Sequence, residues 1–143
     1  MPSPRENLQN LEKIGKFKAE PPDQAEFDGL VKQARQTLPD AENPGNSTVS
    51  RFNLAYDASH LLALAALRWH GYRSDNRQIN FQSLVHTVGF APVKWRILDN
   101  CHKKRNVAQY DGDFSPDEEL ISELIAVTKE LQAAVAALGP VSG

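Results

Sequence analysis

The chain has 143 residues, a formal net charge of −2, 41% hydrophobic and 24% charged residues, the profile of one globular domain with enough length for a real core. Its longest nearly apolar run, residues 61–67, is far short of the roughly 20 residues of a membrane span, and residues 1–7 lack the apolar centre of an export signal. The one cysteine, Cys101, excludes an internal disulfide, and the expectation is a cytoplasmic protein.

Six helical segments are predicted. The first opens at Ser3-Pro4, a capping residue followed by proline at the first helical position, and carries a thin stripe of Leu8, Leu11 and Ile14 before Gly15 and Pro21-Pro22. The second runs from Asp23 to Leu38, with Phe27, Leu30, Val31, Ala34 and Leu38 at amphipathic spacing and Pro39 as its stop. A loop around Asn43-Pro44-Gly45 follows. The third, Thr48 to His70 with Gly71 as its cap, is apolar on nearly every face over residues 61–67, as expected of a helix with neighbours on several sides. The fourth, Gln78 to Val88, places Phe81, Leu84, Val85 and Val88 on one face. The fifth, Pro92 to Tyr110, has Val93, Ile97, Leu98, Cys101 and Ala108 as its expected inner face and ends at Asp111-Gly112-Asp113. The sixth opens with Ser115-Pro116-Asp117-Glu118, which reads as a capping box, and its apolar stripe extends to Leu138. Short loops favour antiparallel packing. The expected architecture is an all-α antiparallel bundle of five to six helices: residues 1–20 as an N-terminal helix and linker, 21–139 as the bundle and 140–143 as a disordered tail.

Charge is unevenly spread. Residues 66–105 hold eight of the sixteen Lys/Arg but only two of the eighteen Asp/Glu. Such a stretch forms either a phosphate-attracting patch or a surface neutralised by acids from other helices. No glycine-rich phosphate loop, zinc spacing or Gly-x-Ser-x-Gly turn occurs, so no metal or cofactor is expected. Asp117, Glu118 and Glu119 are explained by a helix N-terminus, and His70 and His86 are expected to be structural.

Two clusters retain chemical interest. Asn53, Asp57 and His60 lie four and then three residues apart on one face of the third segment, flanked by Tyr56 and Ser59. On the fifth, His102, Lys103, Lys104 and Arg105 precede Asn106 and Tyr110. His102 and Arg105 share a face. Charge at a helix C-terminus accounts for Lys103 and Lys104. Arg105 lies on the side of Leu98, Cys101 and Ala108, where a guanidinium normally meets a carboxylate or a phosphate, and Asp57 is the candidate carboxylate.

Two stretches carry a family resemblance. Residues 52–67, ending in the turn at Gly71, look like a long Ala-rich helix, and Arg105-Asn106-Val107-Ala108-Gln109-Tyr110-Asp111 looks like a signature of arginine, a polar residue and a downstream aromatic or histidine. In this order they resemble the HEPN superfamily, the higher eukaryotes and prokaryotes nucleotide-binding domains, over Phe27 to Leu131. The resemblance implies a helical bundle, often a homodimer whose signature helices meet at the interface. Many members are metal-independent ribonucleases, frequently toxins paired with a nucleotidyltransferase antitoxin. Arg105 and Asn106 map onto the arginine and polar positions. Tyr110 stands where the nucleases have histidine, and a phenol of pKa about 10 moves protons poorly near pH 7. Three functions are compatible with these residues: a module binding a nucleotide, RNA or partner protein through Arg105, Asn106, Lys103 and Lys104 with Asp57 and His60 nearby; a ribonuclease with His102 or His60 as substitute proton carrier; and a structural bundle in which Arg105 pairs with Asp57.

Overall fold

A computed structural model describes residues 2–112 and 114–141, with the backbone alone for Gln109, Tyr110 and Asp111. It is an all-α helical bundle: α1 (Pro4–Lys13), α2 (Gln24–Glu42), α3 (Thr48–Trp69), α4 (Arg77–Gln82), α5 (Leu84–Thr87), α6 (Pro92–Asp111) and α7 (Glu118–Ala136). A minimal antiparallel pair, β1 (Lys18–Ala19) with β2 (Tyr72–Arg73), joins the segments after α1 and α3. None of the described helices is long and apolar enough to cross a membrane.

The centre is α3, which packs against α2, α4, α5, α6 and α7. Its all-round apolarity is thereby consumed: Phe52, Ala55, Leu62, Ala63, Ala66 and Leu67 are fully buried. At its start Ser47 accepts from the Ser50 amide. At its end Gly71 adopts φ +87, a left-handed conformation that favours glycine. A second, smaller core of Leu8, Phe17, Leu67 and Tyr72 seats α1.

Several expected boundaries move. Pro39 does not stop α2, which continues to Glu42 with the proline inside it. A proline there forfeits one amide bond in a helix that still buries Ala41 in the core. The fourth segment divides at Ser83, whose hydroxyl donates to the Asn80 carbonyl at 2.9 Å. That carbonyl is the one a continuous helix would offer to the Leu84 amide. The last long helix is capped by Asp117, whose carboxylate accepts from the Leu120 amide, rather than by Ser115. Ile14 falls beyond α1, and Val93 leaves the inner face of α6; both are 67% exposed. Two four-residue steps from Val93 to Cys101 drift by about 80° around a helix, so those residues cannot share one buried line.

Candidate functional site

Tyr56, fully buried on α3, is the hub of a cluster of polar side chains from α3, α4 and α6. Its hydroxyl lies 2.7 Å from Nδ1 of His102, and Asn106 Nδ2 lies 3.2 Å from Nε2 of the same ring. With the amide donating to Nε2, the ring proton sits on Nδ1 and is shared with the Tyr56 oxygen. Phe81 stands edge-on to both Tyr56 and His102. The guanidinium carbon of Arg105 lies 4.8 Å from the Tyr56 ring centroid, and that of Arg77, from α4, lies 5.5 Å from it. His60 completes the group. Its Nε2 faces Asn80 Nδ2 at 3.2 Å.

These contacts set both guanidiniums over the face of one aromatic ring. Among the described residues neither Arg77 nor Arg105 lies within 4.0 Å of a carboxylate. Nη1 of Arg77 and Oδ1 of Asn80 are both buried without a hydrogen-bond partner. The Arg105–Asp57 pair expected from helix faces is thus absent from the described ion pairs, because Arg105 is spent on the ring of Tyr56. Asp57, one residue along, remains half-buried.

The electrostatics follow from this arrangement. Burial, then Arg77, His102 and Arg105, push the His60 pKa down to about 4. His102 is also pushed down, first by burial, then by Arg77, Arg105 and Lys103, against the opposing pull of Asp99. Both imidazoles are therefore neutral at pH 7.

Four of the eight basic residues in the stretch 66–105 have carboxylate partners among the described residues, three of them from outside the stretch. Arg68 and Arg73 pair with Glu20 and Glu26, Lys94 with Glu130, and Lys103 with Asp99 at 3.2 Å. Lys104 is exposed and outside the cluster. His70 and His86 have structural partners, the Thr87 carbonyl at 2.8 Å and the Asn7 amide at 3.4 Å. The fold thus unites Arg105, Asn106, His102 and His60, while Lys103 and Lys104 are exposed and Asp57 is half-buried. The side chain of Tyr110 lies outside the described residues. Beside the cluster, Arg105 borders a cleft of about 320 Å³ with Val49, Asn53, Ala108, Gly112 and Phe114.

Sequence reasoning missed Arg77, Asn80 and Phe81 as site residues and treated Tyr56 as a flanking group. The only local signal was that Arg77, Asn80 and Phe81 lie within one turn of one another (steps of three and one). Searches against family models, curated proteins and solved structures return no match to this chain.

Proposed function

We propose that the protein is a HEPN-like module that binds a phosphate-bearing ligand, a nucleotide or RNA, at the Arg77–Arg105 cluster. The observation that carries this is two half-buried guanidiniums stacked against one tyrosine ring with no carboxylate partner among the described residues. Half-buried arginines are ordinarily satisfied by an anion, and here that anion is supplied by the ligand. Asn106 and His102 add polar groups to the edge of the site. The test is binding of short RNAs and mononucleotides across a salt series, with wild type against Arg105→Ala. Affinity should fall with salt and drop roughly tenfold or more in the variant. Salt-insensitive binding, or none, together with an unaffected Arg105→Ala protein would sink the proposal.

The Tyr56–His102–Asn106 string favours a second function, a metal-independent ribonuclease with His102 in place of the missing signature histidine. A neutral imidazole fixed by Tyr56 suits a general base, with Asn106 yielding Nε2 to the 2′-hydroxyl. Expression of wild type beside His102→Ala and Arg105→Ala, with RNA cleavage scored, decides it. Equal behaviour of all three proteins refutes catalysis.

A further inference from the structure

Resting on the phosphate-binding function just proposed, we infer that the Arg77–Arg105 site takes a terminal phosphate monoester, the phosphorylated end of a short RNA or a nucleoside monophosphate, rather than an internal phosphodiester.

Charge balance favours the monoester. Two guanidiniums without carboxylate partners among the described residues present two positive charges. The nearby acid on α6, Asp99, already engages Lys103 through Oδ2. A monoester brings about −1.5 to −2 at pH 7, whereas a diester brings one negative charge and leaves one guanidinium uncompensated. A guanidinium is a planar N–H fork best matched by a pair of oxygens, and the cluster holds two, one from α4 and one from α6. Three free oxygens on a terminal phosphate serve two forks better than the two on a diester.

The floor of the cluster is closed by Tyr56, Phe81 and Asn80, each fully buried, while Arg77, Arg105, His60 and His102 are partly exposed. Arg105 also borders the cleft lined by Asn53 and Phe114.

The experiment compares wild-type affinity for three pentaribonucleotides of one sequence, carrying a 5′-phosphate, a 3′-phosphate, or hydroxyls at both ends, with AMP as a fourth probe. The inference expects at least one phosphorylated oligomer to bind roughly tenfold tighter than the hydroxyl-ended one, and that preference to vanish in Arg77→Gln and in Arg105→Lys, which keeps charge but loses the fork. AMP binding as tightly as the best oligomer identifies the free nucleotide as the source of the phosphate; weaker AMP binding identifies the RNA end. Equal, Arg105-dependent affinity for all three oligomers overturns the inference and leaves the RNA-binding function standing. Binding of none of the four probes overturns both. The wild-type comparison decides the matter even if a variant does not fold.

Discussion

Arg68 and Arg73 in one cluster, and Arg77 and Arg105 in another, carry the same charge in opposite surroundings. The first pair is closed. Arg68, 2% exposed, donates to Glu26, to the Glu20 and Pro21 carbonyls and to Tyr72, while Arg73 binds both Glu20 and Glu26. The hydrogen bond from Arg73, with the neighbouring positive charges, outweighs burial and holds the Glu20 carboxyl below its usual range. Every charge has a partner, and the cluster ties β1 and α2 to the end of α3. The second pair has an aromatic face, two imidazoles with lowered pKa and, among the described residues, no carboxylate partner. The first cluster is closed on itself, and the second is the one to which the proposed function assigns a ligand.

The contrast can be broken at either end. Arg68→Met should cost on the order of 2–4 kcal/mol in urea unfolding, because it strands partly buried acids and three carbonyls. Next in size is the effect of pH. His60 titrates near 6.5 when unfolded and about 4 when folded, so the unfolded state binds more protons between these values. Stability is complete above about pH 7 and is lost as pH falls from there toward 4, by at most about 3 kcal/mol. His60→Gln should flatten that slope. In Arg77→Gln the His60 pKa should rise, and an NMR titration would show it. Tyr56→Phe removes one hydrogen bond from His102 and should cost about 1 kcal/mol while weakening ligand binding. Arg105→Ala should change stability least, by within about 1 kcal/mol; a loss as large as that of Arg68→Met would show the second cluster to be structural too.

Cys101 offers an independent check on α6. Burial, with Glu123 adding to it, pushes its thiol up to about 12. It should resist thiol reagents at pH 7–8 in the native protein and react once unfolded.

The helices were legible because their burial is periodic. The stripe from Phe27 to Leu38 and the crowded faces of residues 61–67 have a local cause, the 3.6-residue turn. Caps at Ser3 and Gly71 were legible for the same reason. Pro39 and Ser83 were not, since core packing at Ala41 and one hydroxyl–carbonyl bond outweighed local preference. The site was half legible. His102, Arg105 and Asn106 advertise themselves by spacing on one helix. Arg77 and Asn80 reach them across a tertiary junction that no spacing encodes, and Tyr56 reads as an ordinary core aromatic until His102 is found on its hydroxyl.

Both clusters hang on the same helix. Tyr56 and Arg68 are twelve residues apart on α3, about 18 Å along an unbroken rod. A helix of this kind does not compress, so a displacement at one end arrives at the other as translation or roll. The acids that clamp Arg68 and the imidazole that meets Tyr56 are thereby held in one register by a single element.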